Sequence, residues 1–240
     1  MKLLAIETAT EACSVAVWVD GGVIERFEIA PRRHTELVLP WAEALLAEAG
    51  ITKSQLDAIA VGRGPGAFTG VRLAIALAQG IALALDRPLL PVSTLASLAA
   101  GLPLPLAGEG RGESDRILAA IDARMGEIYV ASFLRDGDGV AATSDEVVIA
   151  PGVYFPPEGG SWHGIGTGFG AADGALVERL QGRLATVDAA ALPHAADVAR
   201  LGALAFARGE AVAPELIEPA YLRNNVALTT AEQQALRVLR

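Results

Sequence analysis

The sequence predicts an α/β protein of two related halves, each a mixed sheet flanked by helices. Three observations carry this. Strand-like and helix-like apolar runs alternate in the order βββαβαβα over the first hundred residues; a breaker-rich stretch follows; and the opening hairpin pattern then recurs. The 240 residues are 52% hydrophobic and 20% charged, which is ample material for a buried core.

Residues 3–6 and 13–19 read as apolar strands joined by the polar turn Glu7-Thr8-Ala9-Thr10-Glu11, and Gly21-Gly22 turns the chain into a third strand over 23–29. A helix over 35–49 ends at Gly50, with Pro40 costing it a hydrogen bond near its first turns. A short buried strand at 58–61, a long alanine-rich helix at 70–85, a strand at 89–92 and the start of a helix at 95–100 complete the first half. Residues 102–115 lack periodicity and read as a linker or mobile loop. After it, 117–122 echoes 3–7 and ends, like it, on an acid, Asp122 matching Glu7. Residues 129–134 then echo 14–19. The expected division is a first domain at 1–105, a linker at 106–115, a smaller second domain at 116–215 and a final segment at 216–240. That segment is either packed back on the first domain or, at 233–240, a loose polar tail.

The most informative segment, Gly-Arg-Gly-Pro-Gly-Ala-Phe-Thr-Gly-Val-Arg at 62–72, turns a strand into a helix. Its glycines and the helix N-terminus suit close approach by a phosphate or by another backbone, and packing is the commoner use of such a turn. It is no Walker loop, because Val71 and Arg72 follow Gly70 where Lys and Ser/Thr are needed. A dinucleotide site also fails, since the acid at about the right spacing, Asp86, precedes the next strand instead of ending it. A second turn, Gly164-Ile165-Gly166-Thr167-Gly168-Phe169-Gly170, has the same character. The phosphate-facing candidates from the two turns are Gly64, Gly66, Gly166 and Gly168.

A net charge of -9 argues against holding nucleic acid unaided. Cys13 is the single cysteine, so no intramolecular disulfide is expected, and the three histidines, His34, His163 and His194, show no ligand spacing. The N-terminus meets Glu7 too early for a signal peptide, and no run of about 18 apolar residues free of Gly, Pro and charge suggests a membrane span. A cytoplasmic protein is expected.

The stretch Ala5-Ile6-Glu7-Thr8-Ala9-Thr10-Glu11-Ala12-Cys13-Ser14-Val15-Ala16, the 62–72 loop, Ile121-Asp122-Ala123-Arg124-Met125-Gly126-Glu127 and Tyr221-Leu222-Arg223-Asn224-Asn225-Val226-Ala227 together resemble the TsaB family, also called YeaZ. Four motifs in order, across nearly the whole chain, make the resemblance specific. It implies an actin-like ATPase fold of the ribonuclease H class, with a phosphate-binding cleft between two related domains. It also implies a role in making N6-threonylcarbamoyladenosine beside the anticodon of certain tRNAs. There the TsaB-like subunit is a non-catalytic partner of the TsaD synthase, the TsaE ATPase joins them, and tRNA is met only through the complex.

Catalytic relatives in the superfamily carry an HxxxH metal pair whose matching positions here are Thr94 and Leu98, so an inactive homologue with no catalytic residue and no metal is expected. Actin-like phosphotransferases end the first strand on an aspartate that holds a hydrated cation. Here Glu7 stands in that place, beside the hydroxyls of Thr8, Thr10 and Ser14. The favoured reading has Glu7 capping its turn and the threonines bonded to local backbone. No cofactor is expected of the chain itself, and residual nucleotide binding is left to an assembled complex. The long helix carries two small-residue stripes, Gly70, Ala74, Ala78 and Ala82 on one side and Ala76, Gly80 and Ala84 on the other. The resemblance points to this helix and the one before it as the contact for TsaD or for a second copy, and the face assigned to it is His34, Thr35, Val38, Leu39, Ala42, Leu45, Val71, Ala74, Ala78 and Ala82. The alternative function is a sugar-kinase-like phosphotransferase; a metalloprotease falls with the missing ligand pair.

Overall fold

A computed structural model describes residues 1–103 and 116–223. The expected linker at 106–115, the Asn224-Asn225-Val226-Ala227 end of the last motif and the tail at 233–240 lie outside the described residues. The first half comprises β1 (Lys2–Glu7), β2 (Ala12–Val19), β3 (Gly22–Ile29), α1 (His34–Glu48), β4 (Ala58–Gly62), α2 (Phe68–Leu85), β5 (Leu89–Val92) and α3 (Thr94–Ala100). The second comprises β6 (Arg116–Arg124), β7 (Glu127–Asp136), β8 (Gly139–Ala142), β9 (Val147–Ile149), β10 (Trp162–Ile165), α4 (Ala175–Arg179), β11 (Leu184–Asp188) and α5 (Ala195–Ala207).

The first sheet runs β3-β2-β1-β4-β5, and the second runs β8-β7-β6-β10-β11 with β9 added to β7. Strand for strand the order is the same, and so are the directions: an antiparallel meander followed by two parallel strands. The repeat seen in the sequence is therefore a repeat of topology. The halves diverge where the first carries the 18-residue α2 and the second only short helical turns at 167–174 and the five-residue α4.

Alternation along β2 sorts the layers. Cys13, Val15 and Val17 join Val38, Ala42, Leu45, Val71, Ala74 and Ala78 beneath α1 and α2 on one face. Ser14 and Ala16 point to the other face, where Ala16 joins Leu3, Ala5, Ala60 and Leu90 under α5. α1 starts at His34, whose Nε2 sits 3.1 Å from the carbonyls of both Thr10 and Ala12, and it continues through Pro40 because its inner stripe is packed. α2 starts two residues earlier than the glycine at 70 suggested. Gly70 lies inside the helix because the Thr8 carbonyl occupies the space a Cβ would need.

Two expectations are corrected. The span 116–215 is not one domain, because α5 leaves the second half to cover the first sheet, while α3 leaves the first half to pack with Ile117, Ala119, Ile121 and Phe133 of the second. Arg135 of β7 donates to the carbonyls of Ala100 (3.1 Å) and Leu102 (2.7 Å), so a cation of the second half closes the C-terminus of α3. At the start of α5, Ser14 accepts from Ala195 N–H at 2.9 Å and Glu25 from Ala196 N–H at 2.9 Å. Glu25 also accepts from Ser14 and pairs with His194. Burial opposes the Glu25 charge, but these bonds hold its pKa below the ordinary value, and the same carboxylate raises that of His194.

The second correction concerns the assigned interface. Val38, Ala42, Leu45, Val71, Ala74, Ala78 and Ala82 are all buried in the chain's own core, so they have no surface to offer a partner. Small residues at a four-residue spacing let α2 lie close to its own sheet. α2 is the one described helix long and apolar enough to cross a membrane, and its buried stripe makes it a core helix of this fold.

Gly202 of α5 is where the exchanged helix comes nearest the first sheet: a Cβ there would stand 2.8 Å from Ala60 Cβ. Gly202→Val should lower stability by about 1–3 kcal/mol, read as an earlier thermal melt. An unchanged melt would mean that α5 is not seated on β4.

Candidate functional site

Between the halves lies a cleft of about 790 Å³. The β1–β2 turn and the N-termini of α1 and α2 form one wall, Asp122, Arg124, Tyr129 and Thr167 the other, and Tyr221 to Arg223 an edge. The two acids that end β1 and β6 do the same local work. Glu7 accepts from Ala9 N–H at 2.7 Å, and Asp122 from Arg124 N–H at 2.7 Å, each carboxylate closing its own hairpin two residues on. Glu7 goes further: its other oxygen accepts from Thr94 Oγ1 at 3.0 Å, and the side chain is 1% exposed. Burial pushes its pKa up to about 7 against the opposing pull of those bonds.

The other phosphate-facing candidates are similarly occupied. Thr8 donates its hydroxyl to the Gly70 carbonyl at 2.8 Å, and the Thr10 hydroxyl accepts from Ala12 N–H at 3.3 Å while its residue reaches the cleft wall. Ser14 does not face the cleft. An odd number of residues separates it from Cys13 and Val15, so it points to α5. Gly64, at φ +92°, gives its carbonyl to Thr94 N–H at 2.9 Å. Gly66 lies against the Ala9 carbonyl and Gly166 against that of Ala120, while a Cβ on Gly168 would meet Ala120 Cβ at 2.6 Å. Both glycine turns press on the strand ends that carry the acids, and of the four glycines only Gly66 lines the cleft. The close approach that the glycines permit is taken up by the chain's own backbone.

Of the assigned interface residues, His34 is half-buried, and Thr35 and Leu39 remain outside, Leu39 being 46% exposed. The outward stripe of α2 is Arg72, Ala76, Gly80 and Leu83, with Leu83 66% exposed and open space around Gly80. The stripe assigned from the sequence is the inward one of the two, and the signal that separates them is the branched residues: Val71 and Ile75 belong to the buried side, Arg72 to the outer one. The cleft edge was missed altogether. Tyr221 and Arg223 stood in a recognised motif with no role attached to them.

A family model described as TsaD, tRNA N6-adenosine threonylcarbamoyltransferase, matches residues 19–231. The chain is 43% identical over 231 residues to the tRNA threonylcarbamoyladenosine biosynthesis protein TsaB of Escherichia coli strain K12, covering 95% of this chain and 96% of that one. The chain belongs to the TsaB family. The TsaB of Haemophilus influenzae is 34% identical, with 94% and 95% of the two chains covered. A solved structure, YeaZ from Pseudomonas aeruginosa, is similar with a TM-score of 0.82 and 44% identity, over 92% of this chain and 99% of that one. The fold is the actin-like one, two mixed sheets flanked by helices. Within this TsaB-family chain, Thr94 and Leu98, the positions matched to the HxxxH pair, are both buried: Thr94 against Glu7 and Leu98 in the core under the second sheet. Among the described residues no three His, Cys, Asp or Glu side chains converge as a metal set.

Glu7 has a pH signature. Its carboxyl is held near pKa 7 in the fold against 4.5 in its ordinary state, so both states are protonated in acid, and the unfolded chain ionises first as pH rises. The resulting cost grows from about pH 4.5 to about pH 7 and reaches about 3 kcal/mol above that. Glu7→Gln carries no charge: its amide oxygen can accept from Ala9 N–H, and its amide nitrogen can donate to the Thr94 hydroxyl, reversing that bond. It should therefore match the parent's thermal stability near pH 4 and exceed it near pH 8. A variant that loses stability at pH 8 would show that the fold needs the carboxylate charged.

Proposed function

We propose that this chain serves tRNA N6-threonylcarbamoyladenosine synthesis as a non-catalytic subunit that binds and stabilises a TsaD-type synthase. The observation that carries the reading is Glu7. In a phosphotransferase of this fold the acid at the end of the first strand must be ionised and open to a hydrated cation. Here it is buried, pushed toward neutrality and bonded to Thr94 and Ala9, with Gly62 packed against its carboxyl group. That disfavours a sugar-kinase-like activity, and ATP hydrolysis by the chain alone is expected at background.

The names of the Escherichia coli and Haemophilus influenzae relatives place them in threonylcarbamoyladenosine biosynthesis, which supports the pathway. The surface that suits a partner is the outer side of α1 and α2, where Leu39 of α1 and Leu83 of α2 are exposed and the small residues Ala76 and Gly80 of α2 leave room for another helix backbone to lie closely. A second copy of the chain is the competing occupant of the same face, and a TsaE-type ATPase joins the assembled pair. Protein of this kind works in the cytoplasm, where the tRNA is.

Mixing the untagged chain with a TsaD-type protein should give a stoichiometric complex on size exclusion. Ala76→Glu, outward on α2, should keep the parent melt and lose at least about tenfold in partner affinity through clash and an unpaired charge. Ala78→Glu, inward, should lower the melt outright. If Ala76→Glu binds as the parent does, this face is not the interface.

A further inference from the structure

The Tyr221-Leu222-Arg223 triplet was a motif without a task, and its three side chains go to three different places. Tyr221 belongs to the first half: its hydroxyl accepts from Arg72 Nε at 3.0 Å and Nη2 at 2.7 Å, and the Arg72 guanidinium lies over both the Phe68 ring (3.7 Å) and the Tyr221 ring (5.4 Å). Arg223 belongs to the second half. It donates to the carbonyls of Ala123 (3.3 Å) and Arg124 (3.5 Å), pairs with Glu127, and places Nη1 3.7 Å from Met125 Sδ, so it grips the β6–β7 turn from four sides. Leu222 lies between them and lines both the cleft and the neighbouring groove of Arg63, Ser93 and Glu146.

The chain reaches this position under control. Val212 exchanges two 2.9 Å backbone bonds with Leu89, Gln79 donates to the Pro214 carbonyl at 2.8 Å, Ile217 is buried in the first core, and Ala220 N–H donates to the Arg63 carbonyl at 2.8 Å. Everything up to Tyr221 is thus fixed to the first half, and the next two residues carry the attachment across. We infer that Tyr221-Leu222-Arg223 is a clamp that sets the width of the interdomain cleft, with Arg72 of α2 as its anchor on one side and the β6–β7 turn as its anchor on the other. The exchanged helices α3 and α5 hold the halves together away from the cleft lining, and the clamp holds them again at its edge. With the halves joined through these helices and fastened again at the cleft edge, undoing the edge should free a rotation of one half about the helices.

The clamp does not depend on the identity of the partner, and its test uses the isolated chain. Cysteines introduced at exposed Ser54 and Glu178, one in each half, carry spin labels; Cys13 is buried with its thiol pushed up to about 11 and stays unlabelled at neutral pH. Pulsed dipolar distance measurement on the parent should give one narrow distribution. Arg223→Ala should broaden it and shift it to longer distances. Arg72→Ala, at the exposed opposite end and safe for folding, should do the same with the melt near the parent's. Distributions that superimpose on the parent's in both folded variants would overturn the clamp.

Discussion

Helix α3 belongs to the first half by sequence and to the second by packing, and α5 does the reverse. Each sheet therefore closes its core with a helix from the other half, so neither half can bury its second face alone. The seating is tight: Gly202 brings α5 against Ala60, Gly101 at the end of α3 faces Asp197 of α5, and Arg135 closes α3 from β7. Cross-over of this kind makes the two halves one folding unit while leaving the cleft open, because no residue of α3 or α5 lines it. The position of the cleft, the approach of the two hairpin turns and the crossing of the C-terminal segment all follow from it.

The acids that end β1 and β6 show how one local device can serve two ends. In both halves the carboxylate closes its own hairpin. In the second half it stays local, pairing also with the Arg124 guanidinium at 2.8 Å, and Asp122 stays partly open. In the first half Glu7 is also drawn inward to Thr94, the first residue of the exchanged helix α3. One extra methylene compared with aspartate gives the carboxyl group the reach to meet α3, and burial then holds it near neutrality. A position that in an actin-like enzyme would meet a cation is used here to pin the junction between the halves.

The order of elements along the first half, the duplication and the extents of β1 to β5 were legible in the sequence because alternation and turn glycines are local signals. What was not legible required knowing which neighbour a side chain meets. The exchange of α3 and α5 has no sequence signature, since both helices are simply amphipathic. The two stripes of α2 are almost equal in composition, and the choice between them depends on Val71 and Ile75 facing the sheet. Ser14 was placed beside Thr8 and Thr10 by its proximity in sequence, although strand parity on β2 sends it to the opposite face. The glycine turns were read correctly as sites of close approach. That the approaching groups are the Ala9 and Ala120 carbonyls, and not a phosphate, is a tertiary fact.

The working surface proposed for this protein is the outer side of α1 and α2, not the cleft or the second half. Hydroxyl-radical footprinting of side chains, with and without a TsaD-type protein, tests it most directly, because exposed apolar residues sit on both candidate regions. Leu39 and Leu83 report on α1 and α2, and Val153 and Phe155, 62% and 58% exposed, report on the second half. Leu39 and Leu83 should lose reactivity in the complex while Val153 and Phe155 keep theirs. Protection of Val153 and Phe155 with Leu39 and Leu83 unchanged would contradict it.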